Sequence, residues 1–439
     1  MKKYFGTDGI RGVANTSFIT PEGAVSLGKT FGYYILERSL PRRVVIGKDT
    51  RISGDFLEDG LASGLSSMGI EVYKIGVITT PGIAYLSKTL EVGGGVVISA
   101  SHNPYYDNGI KFFTHEGFKL SDGEEEYLEH ILDNHIYNSM VPHYKEIKRI
   151  YNREDLVEKY VSFLRANIDG LKLDNKIVID TANGATYKIA EEIFSEIDNF
   201  KIINNTPDGL NINFESGSTH IDGLVKKMVE EDAFLGFAYD GDGDRFIAVF
   251  PDGQVIDGDL LLYIFSKVLK IEDIVVTLMS NIGLDVSLKK IGVNVVRIDK
   301  VGDKYVVEEM RKRNIRIGGE QSGHIVFLDR ETTGDGVFTS LVLLNILRES
   351  KIEDLVKGFK KFPQKLINVK VKDKMAFYKN KKIQEMISEI QRELKDEGLL
   401  IVRPSGTEPL IRIMAQAEDP SYIEEIIGRV KSLIEKEFL

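Results

Sequence analysis

The chain contains no cysteine. Disulfide staples, thiolate nucleophiles and cysteine-ligated zinc are therefore excluded from its chemistry. That absence is compatible with a reducing compartment without proving one. Long hydrophobic runs are missing too. The most apolar stretches, around Leu260–Phe265 and Leu341–Leu347, fall short of the ~20 residues that a bilayer-spanning helix needs. No apolar segment follows Lys2 and Lys3, so the sequence predicts no signal peptide. Nor is there an excess of positive charge: the formal net charge is -10, which argues against general nucleic-acid binding through a basic face. An acidic protein that handles an anion must then supply local arginine, lysine, backbone N–H groups or metal to overcome its own field. Low-complexity tracts and proline-rich linkers are absent as well.

What is present describes an ordinary globular protein, with 42% hydrophobic and 28% charged residues. At 439 residues it is too long for one hydrophobic core, because cores stop growing near ~250–300 residues. Three segments repeat one theme: a β-branched run, a small polar loop, then an amphipathic helix. They begin at Val44, at Lys176 and at Ile274, with helices expected near Phe56–Met68, near Tyr187–Phe194 and from Leu284. Strands alternating with helices imply α/β units with mixed, largely parallel sheets. The tail differs, with strands expected at Leu366–Val371, Leu400–Val402 and Leu410–Gln416 and charged-faced helices at Ile383–Leu394 and Tyr422–Leu439. The reading is three similar α/β domains, at 1–152, 153–253 and 254–365, and a smaller α+β domain at 366–439.

The strongest chemical signal is Asp240-Gly241-Asp242-Gly243-Asp244-Arg245, set between the apolar runs Phe234–Ala238 and Phe246–Phe250. Carboxylates at i, i+2 and i+4 project to one side of an extended segment, and the glycines let the backbone curve around a small ion. At ~4 Å and an effective dielectric of ~20 each carboxylate pair repels by about 4 kcal/mol, so a divalent cation is the natural remedy. All-oxygen ligands suit Mg²⁺ or Ca²⁺ rather than zinc. An EF-hand would need Gly at its sixth position and Glu at its twelfth, where this chain has Arg245 and Pro251. Mg²⁺ is the better fit.

A second loop, Ser99-Ala100-Ser101-His102-Asn103-Pro104, follows the apolar run Val96–Ile98. Ser101 is thereby expected at the carboxyl end of a strand, where open α/β sheets place their ligands. In an extended chain Ser101 and His102 point opposite ways, and no G-x-S-x-G elbow is present, so a serine-hydrolase reading fails. Taken alone, such a turn is more readily structural. Lys111 and His115 stand nearby as available proton carriers.

Arg403-Pro404-Ser405-Gly406-Thr407-Glu408-Pro409 offers a guanidinium, two hydroxyls and freed backbone N–H groups, which together make a phosphate cradle; Arg412 on the next strand could add a second fork. Gly319-Glu320-Gln321-Ser322-Gly323-His324 fails as a Walker A loop, because His324 and Ile325 follow Gly323 where Lys and Ser/Thr are required. Its carboxylate, hydroxyl and imidazole suit sugar hydroxyls or an amine. The opening Gly6-Thr7-Asp8-Gly9-Ile10-Arg11-Gly12 is a further glycine-punctuated loop with one arginine. No strand is followed by G-x-G-x-x-G, so a Rossmann dehydrogenase is disfavoured.

Together and in this order the four loops resemble those of the α-D-phosphohexomutase superfamily, over nearly the whole chain. The resemblance implies domains arranged around one central cleft, with a mobile last domain. It implies a phosphorylated Ser101, and one Mg²⁺ held by Asp240, Asp242, Asp244 and an oxygen of the Ser101 phosphate. It implies Arg245 beside that phosphate, with Lys111 and His324 moving protons. Glu320 and Ser322 would bind the sugar, Arg403, Ser405, Gly406, Thr407 and Arg412 the non-reacting phosphate, and Arg11 would line the wall. Within the superfamily the runs Tyr4–Gly12, Ser99–Phe113 and Glu320–His324 resemble the phosphoglucosamine mutase subgroup, with Gln321 where phosphomannomutase/phosphoglucomutase relatives more often carry Met. The implied reaction interconverts glucosamine 6-phosphate and glucosamine 1-phosphate through a bisphosphate intermediate and feeds amino-sugar nucleotide synthesis. Glucose or glucosamine 1,6-bisphosphate would serve as activator. The alternatives are a phosphomannomutase/phosphoglucomutase, or a phosphatase using the same serine. A non-catalytic sugar-phosphate sensor is opposed by the intact Ser101, Lys111 and aspartates. The expected partner is a small sugar phosphate, with neither nucleic acid nor membrane, in the cytoplasm; a homodimer is left open.

Overall fold

The computed structural model describes residues 2–168, 175–373, 375–395, 397–405 and 409–438. Two compact units divide the chain. The larger comprises Met1–Leu262, Ile274–Leu278 and Arg297–Ile352; the smaller comprises Tyr263–Asp273, Met279–Val296 and Glu353–Leu439.

In the larger unit the first sheet contains β1 (Ile10–Val13), β2 (Arg43–Lys48), β3 (Glu71–Val77), β4 (Gly94–Ile98), β5 (Asp107–Thr114) and β6 (Ile150–Asn152), in the order β1-β5-β4-β2-β3-β6. Pairings β2/β3, β2/β4 and β3/β6 are parallel, whereas β4/β5 and β1/β5 are antiparallel. The central strand β4 is buried along its whole length, as its uninterrupted apolar run requires. The second sheet contains β7 (Ile177–Asp180), β8 (Phe200–Ile203), β9 (Leu235–Tyr239), β10 (Phe246–Val249) and β11 (Val255–Ile256), in the order β11-β10-β9-β7-β8. Its parallel pairs β7/β8 and β7/β9 are continued by antiparallel β9/β10. From β12 (Asp273–Thr277) the chain passes through β13 (Asn294–Ile298), which lies on the division between the units, to β14 (Ile317–Gly319) and β15 (Ile325–Phe327). β12/β14 is parallel and β14/β15 antiparallel.

The expected helices form at Gly54–Ser67, Thr186–Phe194 and Ile282–Lys289, each after its strand. Both apolar stretches weighed as membrane candidates are core helices instead. Leu260–Phe265 lies within Gly258–Val268, and Leu341–Leu347 lies within Gly336–Leu347. Among the described residues, no helix is long and apolar enough to cross a membrane.

In the smaller unit β16 (Gln364–Lys370), β17 (Gly398–Pro404) and β18 (Leu410–Ala417) form an antiparallel sheet, β16-β18-β17. Helices Lys381–Leu394 and Pro420–Phe438 bury Ile383, Ile390, Ile423, Ile426 and Ile427 in one core with Ile411 and Ile413 of β18. This is the α+β tail that the sequence predicts.

Candidate active site

Two loops meet where two strands end. Ser101 follows β4, and Asp240–Asp244 follow β9, so each sits at the carboxyl end of a buried strand. The Ser101 hydroxyl donates to Asp240 Oδ2 at 2.6 Å. Asp240, Asp242 and Asp244 are all buried, and one carboxylate oxygen from each lies within 4.8 Å of the others. Gly241 is required between them: a Cβ there would come within 2.6 Å of the Ser101 carbonyl oxygen and 2.8 Å of Asn213 Nδ2.

Ser101 does not sit in extended chain, contrary to the expectation that it and His102 point apart. Its φ is 53°, in the left-handed region, and its hydroxyl lies 3.4 Å from His102 Nδ1. His102 is nonetheless held as a neutral, weakly basic imidazole. Burial, with the Arg245 and Arg11 guanidiniums beside it, pushes its pKa down to about 4.

Charge around the triad is unevenly compensated. Lys111 Nζ lies 2.8 Å from Asp242 Oδ2, 3.0 Å from Asp8 Oδ2 and 3.7 Å from Asp244 Oδ2. Thr80 Oγ1 also donates to Asp242 Oδ2, at 2.6 Å. Burial would raise the Asp242 carboxyl, but Lys111 overrides it and holds the group below the usual range. Lys111 is itself raised: its burial penalty is outweighed by Asp242, Asp8 and Asp244. Asp240 is pushed far up by burial and by the neighbouring charges of Asp244 and Asp242. Arg245 offsets this only in part, its Nε lying 3.8 Å from Asp240 Oδ2 and 3.9 Å from Asp244 Oδ1. Asp242 Oδ1 and Asp244 Oδ1 are buried without a hydrogen-bond partner. Orphaned oxygens beside mutually repelling carboxylates are what an oxygen-preferring divalent cation would satisfy, and the residues fit one.

His324, between β14 and β15, closes the other side. Its Nε2 lies 3.2 Å from Asp303 Oδ2 and its Nδ1 3.7 Å from Asp244 Oδ2. Burial disfavours the imidazolium, yet Asp303 and Asp244 prevail and raise the pKa to about 9. Asp303 also takes Lys119 at 2.8 Å, and Lys119 reaches back to Asp8 Oδ1 at 2.7 Å. A continuous chain of opposite charges thus runs from His324 through Asp303, Lys119 and Asp8 to Lys111.

The sequence matches four known domain types in order. Residues 2–138 match phosphoglucomutase/phosphomannomutase alpha/beta/alpha domain I, residues 158–253 domain II, residues 257–363 domain III, and residues 366–432 the C-terminal domain. The phosphoglucosamine mutase of Anoxybacillus flavithermus is 45% identical over 448 residues, covering 100% of both chains. The chain belongs to the phosphoglucomutase/phosphomannomutase family. A solved phosphoglucomutase/phosphomannomutase family protein from Burkholderia thailandensis shares the fold with a TM-score of 0.80 at 23% identity, covering 98% of this chain and 97% of that one. Aspergillus fumigatus N-acetylphosphoglucosamine mutase, solved with GlcNAc-6P and magnesium, aligns with a TM-score of 0.67 at 18% identity over 98% of this chain and 95% of its own.

Set on this phosphoglucomutase/phosphomannomutase fold, the other anticipated residues are distributed as follows. Arg11 lies on β1 opposite Gly109 of β5 and pairs with Asp8. Glu320 accepts from Gly302 N at 3.0 Å, and burial raises its carboxyl. Ser322 is exposed in the same loop, and so is His115, in the turn after β5. In the smaller unit Arg403 of β17 stands directly opposite Arg412 of β18, and Ser405 N donates to Leu410 O at 2.8 Å to start the hairpin turn. Gly406 and Thr407 lie outside the described residues. Four buried or half-buried groups escaped sequence reasoning: Asp8, Thr80, Lys119 and Asp303. Asp8 carried a signal, being the acid of a glycine-punctuated loop. The others come from unremarkable strings, and only the fold gathers them.

Proposed function

We propose that this chain is a phosphoglucosamine mutase that interconverts glucosamine 6-phosphate and glucosamine 1-phosphate, with Ser101 as the phosphoryl carrier. The observation that carries the reading is the Ser101 hydroxyl held 2.6 Å from one carboxylate of a buried aspartate triad. Phosphate-monoester cleavage is among the slowest uncatalysed reactions, so rate must come from positioning and from neutralising charge on the moving group. Asp240, Asp242 and Asp244 would hold one Mg²⁺, which when bound supplies that neutralising charge next to Ser101. The magnesium in the Aspergillus fumigatus structure supports this choice of metal.

The proposed cycle starts from phosphorylated Ser101. The P–O bond to serine breaks as the free hydroxyl of the bound sugar 6-phosphate attacks, giving a 1,6-bisphosphate. Lys111 and His324 are the candidates to carry the proton of that hydroxyl; the neighbouring aspartates alone hold both protonated, so either would accept it once a cation bound at Asp242 and Asp244 weakened that hold. The bisphosphate reorients, its 6-phosphoryl group returns to Ser101, and the same two residues return the proton to the departing oxygen. Arg245 orients the phosphoserine, and Arg11 lines the wall of the substrate site. Glu320 and Ser322 read the sugar, while Arg403, Ser405, Gly406, Thr407 and Arg412 grip the phosphate that is not reacting. We assign domain limits at 1–152, 153–253, 254–365 and 366–439, a cytoplasmic site of action and a bisphosphate activator.

The test is a mutase assay of wild type and Ser101→Ala on glucosamine 6-phosphate, primed with a trace of glucose 1,6-bisphosphate and followed for both sugar 1-phosphate and inorganic phosphate. The reading requires isomerised product from wild type and a loss of at least about 1,000-fold in the variant, the scale on which removing a catalytic nucleophile acts. Inorganic phosphate as the main product would make the chain a phosphatase. Faster turnover of glucose or mannose phosphates would make it a phosphoglucomutase or phosphomannomutase.

A further inference from the structure

The backbone of Ser101 is held almost entirely by side chains. Its N–H donates to Ser99 Oγ at 2.9 Å. Its carbonyl accepts from Arg51 Nη2 at 2.8 Å and from Asn213 Nδ2 at 2.8 Å. The carbonyl of Asn103 is gripped by the same two side chains, at 2.8 Å and 3.0 Å. Arg51 goes on to the carbonyls of Asp107, at 3.0 Å, and Pro104. Its Nε meets Asp49 Oδ2 at 2.8 Å, with both side chains fully buried, and Ser99 Oγ donates to the same oxygen at 2.6 Å.

We propose that Arg51 and Asn213 are positioning residues that clamp the Ser101 carbonyl and so aim the serine hydroxyl at the aspartate triad. The proposal rests on Ser101 as the phosphoryl carrier. A left-handed non-glycine residue costs on the order of 1–3 kcal/mol and persists only where its surroundings over-determine it. Here the surroundings are two forked donors from different parts of the chain. Arg51 lies in the loop after β2, and Asn213 lies between β8 and β9, next to the triad. The orientation of the Asn213 amide follows from its partners: two carbonyl oxygens face it, so the nitrogen must point at them. Gly241 completes the arrangement by letting the metal loop pass against the same carbonyl. Loss of this grip would let the turn that carries Ser101 shift against Asp240, and a displacement of about 1 Å at a reacting atom can cost about 100-fold in rate.

Asn213 itself has φ of 59°, so Asn213→Gly removes the donor without adding backbone strain. The experiment compares Asn213→Gly and Arg51→Lys with wild type in the primed mutase assay. It also measures a single turnover, in which phosphorylated protein is mixed with glucosamine 6-phosphate. The expected result for Asn213→Gly is kcat and the single-turnover rate both reduced about 10- to 100-fold, with KM for the sugar phosphate and the thermal midpoint near wild type. A merely structural asparagine would lower the midpoint and leave the single-turnover rate of the folded protein alone, which overturns the proposal. Wild-type kcat in Asn213→Gly overturns it too, whether or not Arg51→Lys folds. Ser101→Ala runs alongside: if that variant stays active, the carrier assignment has failed rather than the clamp alone.

Discussion

A serine hydroxyl 2.6 Å from one of three buried carboxylates is an unstable grouping unless positive charge is brought to it. Lys111 answers for Asp242 and Arg245 for part of Asp240, while Asp242 Oδ1 and Asp244 Oδ1 are left without hydrogen bonds. Asp242→Asn should therefore weaken Mg²⁺ binding by about 10-fold or more, read as the Mg²⁺ concentration for half-maximal turnover and by calorimetric titration of the metal alone. An unchanged titration would remove these aspartates from the metal site. At this scale the sequence was legible where chemistry is packed into one short string: Asp240–Arg245 and Ser99–Pro104 declare themselves by spacing. It was opaque where single residues converge from a distance. Asp303 and Lys119 are 184 positions apart yet form an ion pair of 2.8 Å, and no local pattern announces it. The conformation of Ser101 was misjudged for a related reason, since the left-handed serine is held by Arg51 and Asn213, both distant in sequence, as well as by nearby Ser99.

At the scale of elements, the helix Gly336–Leu347 begins on a buried acid. Asp335 caps it, accepting from Phe338 N at 2.9 Å and from Tyr160 Oη at 2.6 Å. An ionised cap is favoured at a helix N-terminus, but burial pushes the Asp335 carboxyl up to about 6. Glu331, four residues earlier, is raised well above its ordinary value by burial and by Asp335, and its Oε1 has no hydrogen-bond partner. Carboxyls raised on folding bind protons that the unfolded chain has already released. Their contribution is complete below the unfolded carboxylate range and is lost as pH rises, through about 6 for Asp335. Glu331→Gln should flatten this decline and give a higher thermal midpoint than wild type at pH 8, measured by scanning calorimetry from pH 4 to 8. A lower midpoint at pH 8 would mean that the Glu331 carboxylate is stabilising as an anion. Regular elements were well anticipated, because β-branched runs and helical spacing are local signals. Asp335 and Glu331 were not, because a buried acid looks like any other acid until its surroundings are known.

For the molecule as a whole, the succession of β-branched runs and amphipathic helices gave the α/β class, and the change of pattern after residue 365 gave the α+β tail. The separate cores were harder to read. The first two sheets and most of the third pack as one compact unit, because the loops that carry Ser101, the aspartates, Asp303 and His324 are bound to one another by buried ion pairs and hydrogen bonds. The segments that build this centre are far apart in sequence, so no local pattern announces its cohesion. The central claim is that Ser101 becomes covalently phosphorylated during turnover. Its most direct test is to incubate the protein with Mg²⁺ and glucose 1,6-bisphosphate, then weigh the peptide containing Ser101 before and after adding glucosamine 6-phosphate. The account predicts one phosphate on Ser101 which, when introduced with an isotopic label from the bisphosphate, passes to the sugar on mixing and is replaced by the sugar's own unlabelled 6-phosphoryl group. Sugar 1-phosphate formed while that peptide never carries phosphate would contradict it.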